Sequence, residues 1–202
     1  LNPVQRIKHQ FVDFQGLTTT RERQDTLGRV REFIKELDLP PEAIDAYPHQ
    51  LSGGMRQRVM VALATFFHPS IILADEPTTA LDVVVQKGIL LLLLRLQEQM
   101  NSTIFFVSHD MGVHYQLSHK MLIMYAAKAV EFGDSDAIFQ APIHPYTHLL
   151  IDSLPNVGDN EMRQGVEGRP PSLWGDLKGC RFAPRCPKAK DVCREQEPAL
   201  TD

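Results

Sequence analysis

No stretch of this 202-residue sequence stays apolar long enough to cross a bilayer. The run from Ile89 to Leu94 is broken at Arg95 after six residues, whereas a spanning helix takes about 20. No N-terminal segment has the charged-then-apolar layout of a secretory signal. The expected setting is therefore the cytosol, with any membrane connection made through a partner. Cysteine is scarce: Cys180, Cys186 and Cys193, three in all, fall within the last 25 residues. An odd number in a cytosolic chain argues against a disulfide framework. Basic residues form no stripe and the net charge is −4, so nucleic acid is not an expected partner. Internal repeats and low-complexity tracts are missing as well.

What remains is the composition of a globular protein, with 43% hydrophobic and 23% charged residues, enough to bury a core. Leu27, Val30, Phe33, Ile34 and Leu37 recur at spacings of three and four and predict a helix over 22–38. Asp38-Leu39-Pro40-Pro41 breaks it. A second helix is predicted from Ser52 to about Phe67, with Ser52 as its cap and Gly53-Gly54 allowing close backbone approach. Ile71-Ile72-Leu73-Ala74 reads as a buried parallel strand, followed by a helix over 83–99 and a second buried strand from Thr103 to Val107. Lys120 to Tyr125 and Ala129 to Phe132 read as strands joined by a tight turn. After about Gln140 the texture changes. Pro142, Pro145, Pro155, Pro170, Pro171, Pro184 and Pro187 punctuate a loop-rich extension, with one short helix near 146–153.

Strand, helix, strand with polar residues at the strand C-termini is the layout of an open α/β sheet, which binds ligands at that edge. Asp75, Glu76 and His109 fall there. A carboxylate at a strand end suits Mg²⁺, which takes one or two carboxylates plus waters and phosphates. An adjacent acid with a different aim is placed to polarise an attacking water, a division of labour that fits phosphoryl transfer. His109 is placed to sense a γ-phosphate, and Ser52-Gly53-Gly54 at a helix N-terminus to meet a phosphate group. Each signal alone has a plain alternative: a strand-ending turn, a loop histidine, a capped helix.

In order, Leu51-Ser52-Gly53-Gly54-Met55-Arg56-Gln57-Arg58, then Ile71 to Pro77, then Thr79-Ala80-Leu81-Asp82, then Ser108-His109-Asp110 resemble the ABC-type ATPase family. The resemblance implies a P-loop NTPase (RecA-like) α/β fold: a parallel-sheet core with an α-helical subdomain, incomplete in these residues, plus the loop-rich C-terminal extension. It implies residues 1–60 as the helical subdomain, 61–140 as the C-terminal part of the core and 141–202 as the extension. It also implies roles. Leu51, Ser52, Gly53, Gly54 and Met55 are the signature motif that contacts ATP on the opposite subunit. Asp75 serves Mg²⁺, Glu76 is the general base, Thr79 to Asp82 are the D-loop, and His109 is the switch histidine. Leu1-Asn2-Pro3-Val4 looks like the stretch just after the family's Q-loop glutamine. That glutamine and a G-x-x-x-x-G-K-[ST] phosphate loop are not among these 202 residues, so the chain reads as a fragment and is expected to be inactive alone.

The segment before the signature is too short for a chromosome-organising coiled coil and lacks the zinc-binding insertion of DNA-repair members. His144-Pro145-Tyr146-Thr147 with Leu149-Leu150, and Gly179-Cys180-Arg181-Phe182-Ala183-Pro184-Arg185-Cys186-Pro187, look like the C-terminal element of oligopeptide and dipeptide importer ATPases. Ala127-Lys128 departs from that branch's usual Gly-Arg turn and predicts a looser turn. Some members of the branch resemble iron–sulfur proteins here. For Cys180, Cys186 and Cys193 a 4Fe–4S cluster, zinc and three reduced thiols stay open, because both metal options take a fourth ligand.

The resemblance further implies an ATP- and Mg²⁺-dependent subunit that pairs head to tail with a homologous ATPase subunit. It would lie on the cytoplasmic face of the inner membrane, against two permease subunits, and serve an extracytoplasmic solute-binding protein indirectly. A non-transport ABC ATPase and a truncated, non-catalytic subunit are the competing readings.

Overall fold

Ile7, Phe11 and Val12 share one side of a short helix, α1 (Ile7–Phe14), and all three are buried. The computed structural model describes residues 1–14, 16, 19–79, 81–154, 168–174 and 178–200. Next comes α2 (Thr20–Glu36), opened by a reciprocal cap: Thr19 accepts from the Glu22 N–H while the Glu22 carboxylate accepts from Thr19. Those bonds hold the Glu22 carboxyl below its usual range. Its buried residues Thr26, Val30 and Ile34 keep a spacing of four. The stop at Leu37–Pro40 leads into a 3₁₀ turn, Pro41–Asp45. Lys8 donates to Asp45 at 2.7 Å, tying α1 to that turn and holding the Asp45 carboxyl low.

Helix α3 (Gly53–Thr65), strand β1 (Ile71–Asp75), helix α4 (Val83–Met100) and strand β2 (Thr103–Val107) follow. The strands pair in parallel, with Ile71 opposite Thr103 and Asp75 opposite Val107. The crossover helix α4 buries Ile89, Leu90, Leu92, Leu93 and Leu96. It ends at Asn101, in the left-handed region at φ 51°, which Asn tolerates better than most residues. Ile7, Phe11, Val30, Ile34, Val59, Ala62, Phe66, Ile89 and Leu92 belong to one core, so the helical segment and the strand–helix–strand segment share an interior.

Within these residues the two strands are covered on one side. Ile72 and Ala74 face the core, but Ile71, Leu73, Phe105 and Val107 are exposed, Leu73 at 79%. Successive side chains on a strand point to opposite faces, and among the described residues only one face of this sheet is covered.

The chain divides into two compact units, 1–108 and 109–202. The second opens with α5 (Met111–Leu117), then the antiparallel hairpin β3 (Lys120–Tyr125) and β4 (Lys128–Asp134). Two short helices follow, α6 (Ser135–Gln140) and α7 (Pro145–Asp152), and a last turn, α8 (Val192–Glu195). The β3–β4 turn is not loosened by Ala127. Tyr125 pairs with Lys128, and Ala126 and Ala127 both take positive φ, 47° and 62°, the conformation a two-residue hairpin turn requires. Arg181 donates to the Ala126 carbonyl and braces it.

Around α7 an aromatic group forms. Phe182, 1% exposed, meets Tyr125, Tyr146 and His144 with ring centroids 5.0, 5.3 and 5.9 Å away. Arg185 lies over the Tyr125 ring and donates to its hydroxyl at 3.1 Å. The buried Glu131 carboxylate accepts from the Ile143 and His144 N–H groups. Burial raises the Tyr146 hydroxyl above its ordinary range. Pro155 lies outside the described residues. Among the described residues no helix is long and apolar enough to cross a membrane.

Candidate functional site

The first unit carries a Gly-Gly helix start and a strand-end pair of acids. Ser52 caps α3: its Oγ accepts the Met55 N–H at 3.3 Å, and its carbonyl accepts the Arg56 N–H. That leaves the first-turn N–H groups of Gly53 and Gly54 at an exposed helix start, a natural place for an anion. Leu51 is buried, and Met55 is partly buried against the same interior. Both side chains seat the start of α3 on the core.

Asp75 is exposed at the end of β1, where its oxygens suit a hard cation. The chain then bends sharply. Glu76 has φ 44°, a region that costs a non-glycine residue about 1–2 kcal/mol. Its N–H donates to Val107 at 2.9 Å, extending the β1–β2 ladder by one bond. Its carboxylate accepts from the Thr79 hydroxyl at 2.9 Å. Leaving the strand in this conformation turns Glu76 out of the alternation that Asp75 follows, so the two neighbouring acids have different surroundings. Thr78 and Pro77 are buried beneath the bend. Ala80, part of the same motif, lies outside the described residues. Asp82 caps α4, its Oδ1 accepting the Val85 N–H at 2.9 Å.

His109 is exposed at the start of the second unit, two residues beyond Val107 in sequence. Asp110 beside it caps α5 by accepting from Gly112 and Val113. The structure thus groups Asp75 and Glu76 at one strand end, and carries the Ser52–Gly54 turn in the same unit.

Two contacts made by residues of these motifs were not foreseen from the sequence. Arg58 on α3 donates to the Leu37 carbonyl at 2.6 Å and to the Asp38 carboxylate at 2.8 Å, holding α3 to the end of α2. The Thr79 hydroxyl aims the Glu76 carboxylate. The position of Thr79 three residues past Glu76 was visible, but the bend that brings them together was not.

Among the described residues the cysteine segment shows no assembled metal centre. Cys180, Cys186 and Cys193 are free thiols, each partly exposed. The Cys180 N–H reaches the Cys193 carbonyl at 2.7 Å, but among the described residues no group of three or more Cys, His, Asp or Glu is arranged to hold a metal ion. A cluster or zinc site expects four converging ligands, so the residues present fit neither group. The described residues therefore supply three thiols and no fourth ligand.

A parallel strand pair ending in two acids, with a capped Gly-Gly helix ahead of it, matches the arrangement found in ATP-binding cassettes. The dimeric bacterial ABC transporter cassette MJ0796 superposes with a TM-score of 0.55 at 30% identity, over 67% of this chain and 59% of that one. An inward-facing, putative metal-chelate type ABC transporter shares the fold with a TM-score of 0.59 at 23% identity, over 68% of this chain and 55% of that one. The family model described as ABC transporter matches residues 2–79, and the one described as oligopeptide/dipeptide transporter, C-terminal region, matches residues 130–193. The dipeptide transport ATP-binding protein DppD of Escherichia coli is 42% identical over 99% of this chain and 62% of its own length. The oligopeptide transport ATP-binding protein OppD of Salmonella typhimurium is 39% identical over 98% of this chain and 60% of its own length. The chain is thus similar along nearly its whole length to ABC transporter ATP-binding proteins, and its C-terminal part matches their oligopeptide/dipeptide branch. It spans about three fifths of the length of these curated relatives.

Proposed function

We propose that the protein containing this chain is the ATP-hydrolysing subunit of an ABC importer for peptides. The 42% identity to a dipeptide transport ATP-binding protein, extending over 99% of the chain, carries the proposal. Retention of both strand-end acids supports the catalytic half of it. The proposed organisation is a helical subdomain over 1–60, the C-terminal part of the ATPase core over 61–140 and the branch-specific extension over 141–202.

The subunit pairs head to tail with a homologous ATPase subunit. Ser52, Gly53 and Gly54 bind the phosphates of ATP held by the partner, using first-turn N–H groups in a helix dipole that favours negative charge. Asp75 holds the Mg²⁺ that accompanies the nucleotide and neutralises charge on its phosphates. Glu76, aimed by Thr79, accepts a proton from the attacking water. His109 donates a hydrogen bond to the γ-phosphate, and Asp82 helps couple the two sites of the dimer. Two membrane permease subunits receive the motion, with the ATPase subunits peripheral on the cytoplasmic face and an extracytoplasmic solute-binding protein delivering cargo.

The test is ATP turnover by the intact natural protein co-purified with its permeases. Glu76→Gln is expected to lower kcat by about 100-fold or more while the assembly stays intact. Unchanged turnover in that variant removes Glu76 as the base, and failure to co-purify with any permease removes the importer reading.

A further inference from the structure

Gly54 lies in the first turn of α3 and faces the first turn of α4. A methyl group added to Gly54 would stand 2.8 Å from Val85 Cγ1, while Val85 Cγ2 and Cβ would lie at 3.7 and 3.9 Å. Carbon atoms rest at about 3.5–4.0 Å, so a single methyl of Val85 accounts for the whole collision. Gly53 differs: the nearest neighbour to a methyl there is Leu81 Cδ2 at 3.9 Å, an ordinary contact.

Val85 has little freedom to swing clear. A β-branched residue in a helix keeps one χ1 rotamer about 90% of the time. Neither helix yields easily. Asp82 caps α4 through the Val85 N–H itself, and Ile89, Leu92 and Leu93 are buried one to two turns on. Ser52 caps α3, and Val59 and Ala62 anchor it in the same core.

We propose that Gly54 is glycine because of Val85 in its own chain, and that this contact fixes the Ser52–Gly54 turn to the helix start that carries Asp82. The signature turn and the D-loop end then move as one piece, and Val85 is a positioning residue for nucleotide binding. This rests on the function proposed above. It assigns the demand for glycine at position 54 to helix packing rather than to close approach of a ligand.

The experiment is a double-mutant cycle in the intact natural protein with its transporter partners, using Gly54→Ala, Val85→Ala and both together. Melting temperature, kcat and KM for ATP are read for each. Gly54→Ala is expected to lower Tm by about 2–8 °C and to lower kcat/KM at least about tenfold, chiefly through a raised KM. Val85→Ala, which removes the contact, should raise KM for ATP by about three- to tenfold, and the double variant should return to within about threefold of Val85→Ala alone. Recovery of Tm without recovery of KM overturns the proposal, because the ligand itself then requires glycine. So does a Gly54→Ala variant with wild-type Tm and KM. If the wild-type protein turns over no ATP, the proposed function falls, and the Tm cycle still decides: additive effects overturn the contact, and a rescued double variant upholds it.

Discussion

The helix-start motif residues of the first unit are anchored by backbone-directed bonds, whereas the cysteine segment of the second is fastened through neighbouring aromatic and arginine side chains. Ser52 and Asp82 each spend a side-chain oxygen on a helix N-terminus, and Glu76 is fixed by its own N–H and by Thr79. In the cysteine segment the thiols anchor nothing among the described residues. Phe182, Arg181 and Arg185 fasten the segment to Tyr125, Ala126 and Tyr146. The residue types that stand out in a sequence therefore differ in what they do. In one unit they build the site, and in the other they ride on neighbours less conspicuous than themselves.

The sharpest way to break this comparison is to remove the anchor and spare the thiols. Phe182→Ala should cost about 3–5 kcal/mol, read as early loss of the second unit's structure in thermal or urea unfolding. Replacing Cys180, Cys186 and Cys193 together by serine should cost less than Phe182→Ala. A larger fall in Tm for the triple variant, with metal released on unfolding, would reverse the assignment of anchors. In the first unit, Ser52→Ala should cost about 1 kcal/mol through the lost cap, measured by denaturant midpoint. Ala127→Gly should raise stability by about 1 kcal/mol, because glycine takes the left-handed region without the penalty alanine pays.

The smallest effect is a pH dependence. His144 accepts the Tyr146 N–H through Nδ1, and burial lowers its pKa from the ordinary 6.5 against an opposing pull from Glu131. The unfolded chain then binds the proton more readily than the folded one, so stability falls as pH drops below about 6.5. His144→Asn, which keeps a cap, should flatten that slope in a Tm series from pH 7.5 to 5, a window of about one step either side of the histidine range.

Much of the fold could be read directly. The strand from Thr103 to Val107, the leucine-bearing helix, the Ser52 cap and the hairpin strands lie where periodicity and turn chemistry put them. The short helices α1, α5 and α6 were missed because six to eight residues hold too few repeats of a helical period. The one-sided cover of β1 and β2 among the described residues was not legible either. A continuous apolar run reads the same whether one face or both are covered, and coverage is a tertiary fact. The candidate site was legible as a set of residue types. The left-handed bend at Glu76 and the Gly54–Val85 contact were not, because neither leaves a local pattern.

The open sheet face also governs how these 202 residues behave in solution. Ile71, Leu73, Phe105 and Val107 make a contiguous oily plateau on a flat support. Expressed by itself, the chain should associate plateau to plateau as its concentration rises, with light scattering climbing and an apolar dye brightening. A charge at Leu73, such as Leu73→Lys, should delay both, turning a folding surface into a solubility handle.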